Sequence, residues 1–193
     1  MKRICVFCGS NAGANPAFLR AAEQVGLFLA RRNVELVYGG GRVGLMGKIA
    51  DTVLSAGGKV IGVIPESLAI KEVAHQSLTE LHVVDSMHER KALMAEFADG
   101  FIALPGGFGT FEEFCEIVTW AQLGIHRKPC ALLNVEGYYD HLTAMFDAAT
   151  AQNFIAGEHR RLVLIDGEIE KLYERMKNFR PPAIEKWLDK KST

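Results

Sequence analysis

The chain has 193 residues, 49% hydrophobic and 23% charged, the composition of a globular protein with a full core. A formal net charge of -1 excludes bulk attraction to nucleic acid or to an anionic membrane surface. No apolar run approaches the roughly 20 residues of a membrane span, and the run after Lys2-Arg3 is too short for a signal peptide's core. The expectation is a cytoplasmic protein with no nucleic-acid or membrane partner.

In chain order, 4–8 is the first apolar, β-rich segment, and a Gly/Asn/Pro loop leads from it to a helix at 16–31. The segment holds a C-x-x-C, Cys5 and Cys8. A redox C-x-x-C opens a helix, whereas residues three apart on a strand point to opposite faces. No second C-x-x-C exists for a zinc site. Cys5 and Cys8 therefore read as structural thiols, and Cys115 and Cys130 complete the cysteine inventory.

A strand at 34–38 precedes Gly39-Gly40-Gly41 and a helix at 45–55, which Gly57-Gly58 stops. Strands follow at 59–64, 81–85, 101–104, 130–135 and 162–165. Helical patterns occupy 87–98, 111–123, 138–152 and 168–177. Continuous apolar strands alternating with helices predict a Rossmann-like, doubly wound α/β fold. Its mostly parallel sheet has about seven strands with helices on both faces. The expected organisation is one domain over residues 1–180 and a polar C-terminal tail over 181–193, with no internal repeat.

Ligands of such sheets bind outside the carboxyl ends of the strands. Three glycine-rich loops fall there: "FCGSNAG", "YGGGRVGLMG" and "LPGGFGT". Bare backbone N–H groups at helix starts bind phosphate, aided by the helix dipole. Gly39 to Gly44 formally matches G-x-G-x-x-G, with Glu66 as a ribose-binding acid. That opens one alternative, a nicotinamide-dependent oxidoreductase. A Walker A loop fails, because Ile49 follows Gly47-Lys48.

Thr110-Phe111-Glu112-Glu113 has capping-box spacing, so Glu113 can bond back to the Thr110 N–H or face a ligand. Ser86-Met87-His88-Glu89 is a second such box. Arg90 and Lys91 follow it in the first turn of a helix, where cations oppose the dipole. An anionic ligand at the sheet rim would explain them; a solvated charged face is the other reading.

Met87-His88-Glu89-Arg90-Lys91 and Pro105-Gly106-Gly107-Phe108-Gly109-Thr110-Phe111-Glu112-Glu113 resemble the LOG ("Lonely guy") family. Its members are cytokinin riboside 5'-monophosphate phosphoribohydrolases, often mislabelled lysine decarboxylases. The family's P-G-G-x-G-T-x-x-E is matched at every fixed position, and the likeness runs from residue 4 to about 180. The resemblance implies a homodimer that cleaves the bond between adenine N9 and ribose C1' of a nucleoside 5'-monophosphate; no His/Asp/Cys cluster in the sequence suggests a metal, and no cofactor is expected. It carries over Arg90 and Glu113 as the catalytic pair. Glu72, Arg90, Lys91, Gly107, Phe108, Gly109, Thr110, Phe111, Glu112, Glu113 and Thr119 carry over as substrate contacts. A non-catalytic nucleotide or cofactor carrier of the same fold is the other alternative. A decarboxylase would need a Schiff-base lysine, and no cofactor pattern surrounds Lys48 or Lys91.

Overall fold

The computed structural model describes residues 1–69 and 74–182. Glu72, and the expected tail from 183 onward, lie outside the described residues. The elements run β1 (Arg3–Phe7), α1 (Pro16–Arg31), β2 (Glu35–Tyr38), α2 (Gly44–Ser55), β3 (Val60–Pro65), α3 (Glu66–Leu68), β4 (Glu80–Val84) and α4 (Met87–Phe97). Then come β5 (Gly100–Ala103), α5 (Phe108–Gln122), β6 (Cys130–Leu133), α6 (Asp140–Ala151), α7 (Gly157–Arg160), β7 (Val163–Asp166) and α8 (Ile169–Lys177). All seven strands are parallel, in the order β4-β3-β2-β1-β5-β6-β7.

Side chains alternate along each strand and split the core in two. Ile4, Val6, Leu36, Tyr38, Ile102 and Leu104 pack with α1, α2 and α8 on one face. Cys5, Phe7, Val37, Val63, Phe101 and Ala103 pack with Met94 of α4 and with Phe114 and Ile117 of α5 on the other. Cys8 belongs to the first core and Cys5 to the second, as strand periodicity requires.

Local chemistry starts two of the helices. Asn15 accepts a hydrogen bond from the Ala17 N–H at 2.9 Å, and Pro16 supplies a preset φ at the first helical position of α1. Ser86 caps α4 by accepting from the Glu89 N–H at 3.1 Å. The Glu89 carboxylate reaches back one residue further than expected, to the Asp85 N–H at 3.0 Å.

The chain leaves β1 in one direction through β2, β3 and β4, then returns to the other side of β1 as β5. Strand order therefore reverses between β1 and β5, and the loops beyond them part to leave a crevice. The Gly9 N–H donates to the Pro105 carbonyl across this point at 3.1 Å. Two of the three glycine loops meet at this switch. The G-x-G-x-x-G loop follows β2, one strand away.

Burial pushes up the pKa values of Cys5, Cys8 and Cys130, and desolvation with the nearby Glu112 charge raises that of Cys115 too, but only Cys115 is exposed. Titration of the native protein with a thiol reagent should label no more than Cys115 quickly. Cys5, Cys8 and Cys130 should react only on unfolding.

Candidate active site

Arg90 enters from the first turns of α4, and Glu113 from the second turn of α5. Their side chains meet in a buried ion pair, Arg90 Nη1 to Glu113 Oε1 at 2.6 Å. Arg90 Nε also donates to the Val63 carbonyl in β3 at 3.1 Å. The guanidinium lies on the bare Cα of Gly39, so any Cβ there would overlap Nη2. Burial pushes the Glu113 pKa up, while the charge and hydrogen bond of Arg90 pull it back, and the net shift is upward.

The expected capping box at Thr110 does not form. The helix α5 begins at Phe108 with Gly107 as its N-cap, three residues before the expected start. Thr110 is therefore inside the first turn, buried at 3% exposure. Its hydroxyl packs on Gly106, where a Cβ would overlap Oγ1. Glu113 turns inward to Arg90 and is not the cap's partner.

The glycines of this loop divide by use. Gly106 is demanded by close approach to Thr110 and to the Gly9 N–H. Gly107 and Gly109 face open space, and neither has a left-handed φ. Glycine within a helix costs about 1 kcal/mol relative to alanine. At Gly109 that cost brings no packing benefit. What it leaves is bare backbone at an exposed helix N-terminus, the geometry that receives an anion.

Lys91 takes its partners from the protein: Glu112 at 2.5 Å and Glu116 at 3.0 Å, both on α5. Burial alone would lower its pKa, but the two carboxylate bonds outweigh it and the net shift is upward. The basic pair at the start of α4 is thus matched by three carboxylates of α5.

The remaining expected contacts are spread out. Phe108 is 92% exposed. The Phe111 ring stacks beside Tyr138 with 6.4 Å between centroids. Thr119 lies nine residues beyond Thr110, roughly 14 Å along the helix axis. It lines a separate hollow of about 130 Å³ with Cys115, Phe146 and Ile155. Arg90, Glu113, Thr110 and the 107–109 turn are brought together; Thr119 is not.

Sequence reasoning missed Phe18, Tyr138 and Tyr139. A cleft of about 290 Å³ at the switch point is walled by Phe18, Tyr138 and the backbone of the first and third glycine loops. Tyr138 and Tyr139 each donate a hydroxyl proton into the third loop, to Gly106 O and Leu104 O. An adjacent aromatic pair just past a strand's carboxyl end was the available signal.

The G-x-G-x-x-G loop is filled by the protein itself. Arg90 covers Gly39, a Cβ on Gly44 would strike the Ser10–Asn11 backbone, and one on Gly47 would strike Arg42.

A family model described as "possible lysine decarboxylase" matches residues 46–176. A probable cytokinin riboside 5'-monophosphate phosphoribohydrolase of Oryza sativa subsp. japonica is 53% identical over 92% of this chain and 79% of its own length. The cytokinin riboside 5'-monophosphate phosphoribohydrolase of Rhodococcoides fascians is 52% identical over 88% of this chain and 86% of its own. Among solved structures, a molybdenum cofactor binding protein from Rippkaea orientalis superposes with a TM-score of 0.69 at 24% identity. The match covers 92% of this chain and 97% of that one. At that identity the likeness is one of fold.

The two kinds of glycine should respond oppositely to alanine. Gly39→Ala should displace Arg90 and leave Glu113 buried and unpaired, at a cost of about 3–5 kcal/mol. Gly109→Ala should instead stabilise by up to about 1 kcal/mol. Urea unfolding of both variants against the parent measures the difference.

Proposed function

The chain belongs to the LOG family of cytokinin riboside 5'-monophosphate phosphoribohydrolases, and we propose how its residues divide that reaction among themselves. The reaction is hydrolysis of the N-glycosidic bond of an N6-modified adenosine 5'-monophosphate. Water adds to C1', the bond to N9 breaks, and free base and ribose 5-phosphate leave.

Glycosidic cleavage passes through an oxocarbenium-like sugar, positive at C1' and the ring oxygen. Glu113 is the group for that charge, and it orients or deprotonates the attacking water. The observation that carries this assignment is a carboxylate buried against one arginine, a short step along the helix from an open N-terminus. Burial strengthens its field at a developing cation, and its raised pKa makes it a better base. Arg90 stabilises the negative charge growing on the departing purine by hydrogen bonding and fixes the Glu113 carboxylate.

The 5'-phosphate sits on the first turn of α5, over Gly107, Phe108 and Gly109, with Thr110 beneath. Binding energy gained at this remote group lowers the barrier at C1'. The family model's decarboxylase label finds no support at Lys91. A Schiff-base lysine must be deprotonated, and this one is held protonated by two glutamates.

Four unpaired thiols suit a reducing compartment, so we assign the protein to the cytoplasm. Phe108, Met145 and Phe154 are 92%, 65% and 87% exposed, on α5, on α6 and just after it. The family likeness implies a homodimer, and a second copy could cover such side chains. Light scattering at micromolar concentration should give twice the chain mass; a monomer would refute it.

Glu113→Gln tests the central assignment. The amide oxygen still accepts from Arg90, so the variant should fold. Turnover of an N6-prenylated adenosine monophosphate should fall about 10²-fold or more, with substrate affinity better preserved. Retention of most of kcat in a folded variant would sink the role given to Glu113.

The pH profile follows from the same group. The active form is the ionised carboxylate, present above the native pKa. In the parent, kcat/KM should therefore fall as pH drops through a value above the ordinary 4.5. That acid limb should vanish from the residual rate of Glu113→Gln.

A further inference from the structure

Three consecutive carbonyls of the third glycine loop each accept one donor. Leu104 O takes the Tyr139 hydroxyl at 2.6 Å, Pro105 O the Gly9 N–H at 3.1 Å, and Gly106 O the Tyr138 hydroxyl at 2.5 Å. The described chain has no cis peptide. In a trans peptide the C=O of one residue and the N–H of the next point in opposite directions. A donor that fixes a carbonyl therefore aims the following N–H the other way.

We propose that Tyr138 is a positioning residue for the substrate's 5'-phosphate: by holding Gly106 O, its hydroxyl aims the Gly107 N–H at the anion site over α5. The assignment rests on the phosphate reading given above. Gly107 is the N-cap of α5, so its N–H stands at the mouth of the open first turn. The Tyr138 ring is itself fixed, edge-on to Phe18 at 5.4 Å and to Tyr139 at 5.1 Å. The donor is thus set before the ligand arrives, and no reorientation cost falls on binding.

Tyr139 supplies an internal control. Its hydroxyl is buried and also braces this loop. The peptide that it fixes joins Leu104 to Pro105, whose nitrogen carries no hydrogen. Holding that plane aims no donor at a ligand. Tyr139 therefore contributes to stability and Tyr138 to phosphate recognition, although both make the same kind of bond to the same loop.

The experiment compares the parent, Tyr138→Phe and Tyr139→Phe. Each is assayed with an N6-prenylated adenosine 5'-monophosphate and with the matching nucleoside, and with ribose 5-phosphate as product inhibitor. Tyr138→Phe should lower kcat/KM for the monophosphate about tenfold, the scale of one hydrogen bond to a charged group. The loss should appear in KM, the ribose 5-phosphate Ki should rise by a similar factor, and the nucleoside rate should not change. Tyr139→Phe should lower the melting temperature and leave the monophosphate-to-nucleoside ratio at the parental value. If Tyr139→Phe fails to fold, the Tyr138→Phe ratio against the parent decides alone. An unchanged ratio in Tyr138→Phe overturns the proposal, as does an equal fall in both variants. A parent protein that treats monophosphate and nucleoside alike refutes the phosphate reading itself, and the Tyr138 assignment with it.

Discussion

Two opposite charges removed from water must satisfy each other and find partners for their remaining hydrogen-bonding groups. Arg90 and Glu113 do this at the carboxyl-end rim of the sheet, and much of the surrounding structure answers to them. The Val63 carbonyl takes a second arginine proton from β3. Gly39 surrenders its side chain so that the guanidinium can lie against β2's end. The Ser86 cap fixes where α4 begins, and so which turn presents Arg90. Removing either side chain strands the other. The pair therefore ties four elements, α4, α5, β2 and β3, to one geometry.

The same constraint sorts the glycines. Glycine-rich loops at strand ends suggest ligand cradles, but glycines serve two different needs here. Gly39 and Gly106 admit other parts of the protein, and their Cα atoms are covered. Gly107 and Gly109 admit nothing from the protein and remain open. A nucleotide fingerprint cannot make this distinction, which is why the Gly39–Gly44 match misleads. Its spacing is right, yet its first glycine is occupied by the arginine that works with the other loop.

The strand pattern was legible because the inner strands are buried on both faces and so carry an almost unbroken apolar run, while the edge strands β4 and β7 keep short apolar segments despite their exposure. Such runs placed all seven strands to within a residue or two, and glycine density marked the rim where β1 and β5 part. The start of α5 was not legible. Thr110 and Gly107 are both acceptable N-caps, and the choice falls to Gly9, Tyr138 and Thr110 packing around Gly106. The short α7 was missed because a single turn leaves no periodicity to detect. The partners of Lys91 are set by how α4 and α5 lie together, which no local spacing encodes. Arg90 and Glu113 stood out through their motifs, but their direct pairing across 23 residues of sequence is a product of the fold.

A division of labour follows from where each charge is spent. Lys91 is neutralised by Glu112 and Glu116, and Arg90 by Glu113, so neither cation of the α4 pair is held in reserve for an incoming phosphate. On the proposed reading the anion is met chiefly by backbone: the open N–H groups of α5's first turn, directed by the braced loop before it. Backbone donors carry no mobile charge and lose no side-chain entropy on binding, so they suit a group that must be held through every stage of the reaction. The buried ion pair suits the opposite task. In the role proposed for it, its carboxylate faces a positive charge that exists only while the glycosidic bond is breaking. The proposed division, with the permanent charge of the substrate on backbone and the transient one on Glu113, would direct the stronger electrostatic term to the transition state.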